Sequence, residues 1–243
     1  MENQILIFNT ILFLSIVVSF LIYKYAYVKG KLTCNNYILN SYLYILLAIL
    51  IVSNMVIIVD KNYQSLHYFF NFWILLAFSL GALFLTLTID PRSTVLKHGA
   101  WLLLMLFFGI TAWPLYKRTK AANTFQSTLA TTFSLVAFLT AIAFYNPNLI
   151  SLRMGPILVL SLVAGILLSV FSRLLASKKT FTMIDYYLSY GLIMIFSLFI
   201  LYDTKKLQIN AKKCVIPNYI NESLGIFIDI LNLFSNIGNI SSR

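Results

Sequence analysis

Residues 196–204 read FSLFILYDT and residues 224–234 read LGIFIDILNLF, two apolar runs that each carry a single acid, Asp203 and Asp229. An Asp at mid-bilayer costs about 2.5 to 3.5 kcal/mol on the milder insertion scales, so an acid held in such company is a functional candidate unless it sits at a membrane edge. Neither acid has a basic neighbour within its run. An antiparallel pair of helices turning near Ile216 and Pro217 sets the two carboxylates at similar depth. Whether they touch depends on helix rotation, which the sequence leaves open. In the second run Glu222, Asp229 and Asn236 recur every seven residues with Asn232 beside them, one polar stripe facing away from lipid.

Around these runs the chain is greasy throughout. Its 243 residues are 60% hydrophobic and 10% charged, whereas a soluble domain carries about 25% charge. The deficit is spread over the full length, so a single domain buried in lipid is expected. A net charge of +11 would suggest nucleic acid in a soluble protein. Here Lys and Arg sit in short connections, where they face lipid headgroups, and no nucleic-acid partner is expected.

Eight apolar segments approach the ~20 residues that cross a bilayer, and lipid requires each to be helical. They are Gln4 to Val28, Tyr37 to Val59, Tyr68 to Ile89, Gly99 to Tyr116, Thr124 to Tyr145, Gly155 to Ala176, Phe181 to Tyr202 and the weaker Tyr219 to Ile237. The first lacks a basic leader and a small-residue cleavage site, so it reads as a retained helix. Connections are short, the longest running from Asp203 to Asn218. If all eight segments cross, the side holding Lys29, Arg92, Arg153 and Lys212 carries 10 Lys and Arg against 8 on the other, which favours placing it in the cytosol. Basic residues near segment ends, such as Lys24 and Arg173, are expected to snorkel to the interface. Pro114 is expected to kink or end its helix. The small residues Ser161, Gly165, Ser169 and Ser172 form a packing stripe, and Thr124, Thr128, Thr131 and Thr132 mark a face suited to interhelical hydrogen bonds. Cys34 and Cys214 match no metal-ligand spacing and are too few for a disulfide framework, so they read as incidental. The sequons at Asn221 and Asn239 open or adjoin a membrane helix and are expected to go unused.

Two carboxylates in a low-dielectric site cannot both stay ionised cheaply, so such a pair is expected to share a proton and to sense pH. Deprotonated, it offers hard oxygens to a cation. Calcium takes six to eight oxygens, so two Asp with Asn232 or water would hold it loosely, as suits a passageway. The plainer alternative puts Asp203 at a helix end in the interface and lays Tyr219 to Ile237 on the membrane surface. An intramembrane aspartyl protease is disfavoured, because Phe227 and Ile228 stand where those enzymes carry Gly-x-Gly before the second Asp. No enzymatic activity and no resident cofactor are expected.

The C-terminal half resembles the transmembrane Bax-inhibitor-motif family, whose members include Bax inhibitor, the lifeguard proteins and the Golgi anti-apoptotic proteins. FSLFILYDT resembles the family's sixth helix with its Tyr-Asp ending, LGIFIDILNLF its seventh, and Gly109 to Pro114 a less specific motif in its third. The resemblance implies an all-α integral membrane protein: a seven-helix Bax-inhibitor-like bundle over residues 37–243 and an extra N-terminal transmembrane helix with a basic loop over residues 1–36. It implies a pH-sensitive Ca²⁺ leak channel of endoplasmic reticulum or Golgi membranes that damps calcium-linked cell death. Asp203 and Asp229 would form the gate and the transient Ca²⁺ and proton site, and Arg92 a possible latch. Asn232, Asn236, Glu222 and Gln126 are the candidate pore-lining residues, with Gln126 standing where relatives often have a Glu. Viral members exist, and the Asn, Ile, Lys and Tyr richness fits an A+T-rich viral or protist genome, in which case the membrane is the host's. The rival reading is a non-transporting adaptor that inhibits apoptosis by binding cell-death regulators.

Overall fold

The computed structural model describes residues 2–66, 72–175 and 177–243. Among these are eight α-helices: α1 (Glu2–Ala26), α2 (Tyr37–Leu66), α3 (Phe72–Thr88), α4 (Thr94–Ala121), α5 (Phe125–Tyr145), α6 (Gly155–Leu175), α7 (Lys178–Lys212) and α8 (Tyr219–Ser241). Among the described residues seven are long and apolar enough to cross a membrane, and α3, described from Phe72, is a further apolar helix. The start of the third expected segment, at Tyr68, lies outside the described residues. Large side chains such as Phe13, Phe84, Phe138 and Leu174 stand exposed on helix surfaces, as a bundle requires when its solvent is hydrocarbon and its backbone must bond internally. The fold class expected from the sequence, an all-helical membrane bundle, is what the chain adopts.

The chain divides into two compact units, one of residues 1–117 with 211–227, the other of residues 118–210 with 228–243. In the first, α1 buries Val18, Ile22 and Ala26 and packs on α2, where Asn54 Nδ2 donates to Ser15 Oγ at 3.4 Å. Gly109 on α4 lets the backbone come close to α2: a Cβ there would lie 2.4 Å from Met55 Cβ and 3.1 Å from Val52 O. Between α1 and α2 stands a feature the sequence did not announce, a two-stranded antiparallel hairpin, β1 (Tyr27–Val28) with β2 (Lys31–Leu32). Lys29 and Gly30 form its turn with φ of 50° and 74°, the positive pair that a two-residue hairpin loop needs and that Gly supplies cheaply.

The cysteines require a correction. Cys34, just after the hairpin, and Cys214, in the turn between α7 and α8, form a disulfide with Cα atoms 5.9 Å apart across a sequence separation of 180. Counting cysteines finds dense frameworks and metal spacings, and it has no access to two loops that the tertiary fold brings together.

Four helices, α2, α4, α7 and α8, outrun their expected ends, the last by one turn from Ile237 to Ser241. Helix α2 continues past Val59, breaks at a kink where Asn62 takes φ −111° and ψ 17°, and resumes to Leu66. Trp113 Nε1 donates to Asp60 Oδ1 at 3.1 Å, Tyr63 stacks on Trp113 at 4.4 Å, and the Lys117 ammonium sits over both rings, an aromatic and cationic layer of the kind found at a membrane edge. Helix α4 passes through Pro114 and ends only at Ala121. There Asn123 takes a φ of 56° and the Thr124 N–H bonds Thr119 O, a left-handed cap that closes the last turn. Helix α7 is 35 residues long, so the stretch read as a loop from Asp203 onward is helical to Lys212.

In the second unit the small-residue stripe of α6 is a packing face, with a Cβ at Gly165 falling 3.1 Å from Leu192 Cδ2 on α7. On α5, Thr128 and Thr132 are buried. Thr128 Oγ1 shares a 2.9 Å hydrogen bond with Ser241 Oγ of α8, the interhelical role expected of that face.

Candidate functional site

Helices α7 and α8 run antiparallel in sequence about the turn of residues 213–218. Asp203 lies nine residues before the end of α7 at Lys212, and Asp229 ten residues after the start of α8 at Tyr219. At 1.5 Å per residue these offsets correspond to roughly 14 Å of helix for each acid. Asp229 is 5% exposed, its Oδ2 is buried without a hydrogen-bond partner, and Asp203 is the charged group that acts on it electrostatically. Asp203 is half-buried and has partners of its own. On the same two helices Ile200, Leu201, Ile230 and Leu233 are buried. Helix α8 is the most buried of the seven candidate spans, with 44% of its apolar window inside the protein against 17% for α1. Its amphipathic pattern therefore serves a core position, not a helix lying on a membrane surface.

The rest of the polar stripe behaves differently. Asn232 Nδ2 donates to Ile228 O at 2.9 Å and Asn236 Nδ2 to Asn232 O at 2.8 Å, so both amides turn back on their own helix. Glu222 sits in the first turn of α8, in the first compact unit. Gln126 is exposed at the start of α5. Arg92 is exposed in the turn before α4, its backbone N–H held by Asp90 Oδ1 at 2.8 Å, and it too belongs to the first unit. Two Asp residues supply few of the oxygens that calcium takes, and among the described residues no cluster of three His, Cys, Asp or Glu could hold a metal ion. The arrangement suits proton exchange and weak, transient cation contact better than tight storage.

Several interactions had no signal in the sequence. Tyr219, the first residue of α8, donates its hydroxyl to Thr33 O and lies near Asn35 O. It stacks within a cluster containing Tyr37 and Tyr44, and Tyr44 Oη lies 2.6 Å from His98 Nε2. Lys97 is 2% exposed and bonds Thr86 O at 2.5 Å and Ile89 O at 2.9 Å, a buried cation where an interfacial one was expected. The sequon residue Asn239 donates Nδ2 to Asp185 Oδ2 and Ser189 Oγ and accepts from Arg118. These partners are side chains and backbone carbonyls on other segments, which periodicity does not pair.

A family model described as "Inhibitor of apoptosis-promoting Bax1" matches residues 34–242. The match takes in both aspartates and the disulfide and leaves the whole of α1 and the hairpin outside. No curated protein and no solved structure matches the chain.

Proposed function

The chain belongs to the Bax inhibitor family, a multi-pass membrane protein of the apoptosis-inhibiting class, and from that premise we propose that it is a pH-sensitive Ca²⁺ leak channel of intracellular membranes. Asp203 and Asp229 are its gate, binding a proton or Ca²⁺ in alternation. The observation that supports the reading is the unpartnered, buried Oδ2 of Asp229 on a core helix with Asp203 as its electrostatic neighbour. An acid so placed is expensive to keep unless its charge state has a use. No catalytic step is involved, and calcium is cargo.

The sign follows from competition. A protonated pair offers no anionic oxygen to a divalent ion, so flux is lost toward acid pH and gained as the pair deprotonates. Full-length protein reconstituted in liposomes with an internal calcium dye should therefore leak faster as pH rises through the pair's titration range. Asp203→Asn combined with Asp229→Asn should flatten that profile. An unchanged profile in the double variant removes these residues from the mechanism. A parent that protects stressed cells yet passes no Ca²⁺ transfers the case to a non-transporting adaptor.

A further inference from the structure

The first compact unit contains a cavity of about 380 Å³ that the gate does not use. Its walls are the hairpin residues Gly30 to Leu32, the turn and helix start at Pro91, Arg92 and Thr94, and the segment Val215 to Pro217 after Cys214. The size falls within the range of small-ligand pockets, roughly 300 to 1,000 Å³. Two cations, Lys31 and Arg92, line it and no acid does. Asp90, the nearest acid in the chain, turns its Oδ1 to the Arg92 backbone N–H. Among the described residues neither cationic side chain is engaged in an ion pair. Helix α4 opens at Thr94 on the same wall, and a helix start adds partial positive charge and unpaired N–H groups. The remaining wall is apolar, and Val215 and Ile216 are exposed beside it, as are Val95 and Leu96 in the first turn of α4. Positive charge at the ends of membrane helices, with apolar surface adjoining, suits an amphiphilic anion.

We propose that this cavity binds a phosphate-bearing anion, the headgroup of an anionic phospholipid or free phosphate, with Lys31 and Arg92 as its cationic contacts. A guanidinium fork pairs with phosphate oxygens in bidentate fashion, and the ammonium adds a point charge. The disulfide positions the site. Cys34 lies two residues after Leu32 and Cys214 directly before Val215, so reduction frees two of the three walls. The proposal stands apart from the aspartate gate and does not depend on ion conduction.

The test uses full-length, oxidised protein in an uncharged detergent. Native mass spectrometry measures retention of phosphatidylglycerol against phosphatidylcholine, and thermal unfolding measures the response to inorganic phosphate. Lys31→Gln with Arg92→Gln, both at exposed positions, should weaken phosphatidylglycerol binding about tenfold or more, as expected from losing two basic contacts. Lys212→Gln with Lys213→Gln removes the same charge from residues that do not line the cavity and should change it by no more than roughly twofold. Val215→Glu, which sets a like charge against the ligand, and reduction of the disulfide should each weaken binding as well. Lipid retention without a phosphate response assigns the site to the headgroup, and a phosphate response without lipid preference assigns it to the soluble anion. Binding of neither, or equal binding by the parent and the Lys31→Gln, Arg92→Gln and Val215→Glu variants, overturns the proposal.

Discussion

Lys97 illustrates what a single side chain can do in this bundle. The last carbonyls of a helix have no partner within it and carry the negative end of the helix dipole. Helix α3 ends at Thr88. The Lys97 ammonium meets that end directly, donating to Thr86 O and to Ile89 O just beyond α3. Lys97→Met keeps the bulk and removes both donors, leaving carbonyls unpaired in an apolar setting. Thermal or denaturant unfolding in detergent should show a loss of about 1 to 3 kcal/mol. A variant as stable as the parent would mean the carbonyls find other donors. Nothing in the sequence around Lys97 distinguishes it from a snorkelling lysine, because its partners lie on the preceding helix and in the turn.

Among the elements, α7 is the most instructive. After Asp203 its sequence, TKKLQINAK, is polar enough to read as a connection, yet it remains helical to Lys212. Two of its side chains dock on the α5 to α6 region: Lys205 Nζ donates to Ile150 O at 2.6 Å and Gln208 Nε2 to Ala143 O at 3.1 Å. Those carbonyls belong to a helix end and a loop that would otherwise lack donors. Lys205→Met with Gln208→Leu should loosen the last turns of α7. Amide exchange over residues 205–212 should speed up by roughly tenfold to a hundredfold, with the core of α8 unchanged. Apolar length and acid placement made the helices and both aspartates legible in the sequence, because each signal lies inside one segment. The ends at Leu66, Ala121, Lys212 and Ser241 lie beyond the apolar segments, since what sustains a polar helix end is a cap or a partner on another element.

Over the whole molecule the same contrast holds. The helical membrane bundle, its family and the two acids are readable from composition and two short motifs. The cystine, the hairpin and the basic cavity arise only when loops converge, and no local pattern encodes them. The Cys34 to Cys214 bridge ties the α1 to α2 connection to the α7 to α8 turn. Cys34→Ser with Cys214→Ser should lower Tm by roughly 5 to 15 °C in non-reducing buffer, and dithiothreitol should bring the parent toward the variant. Disulfides persist where glutathione and thioredoxin do not reach. A bridge between these two loops thus predicts that their face turns toward a lumen or the cell exterior, against the orientation that a margin of 10 basic residues to 8 favours. With α1 crossing once, a tag fused ahead of Met1 should then be digested by protease added to sealed microsomes, while Cys34 and Cys214 stay beyond the reach of an impermeant reductant.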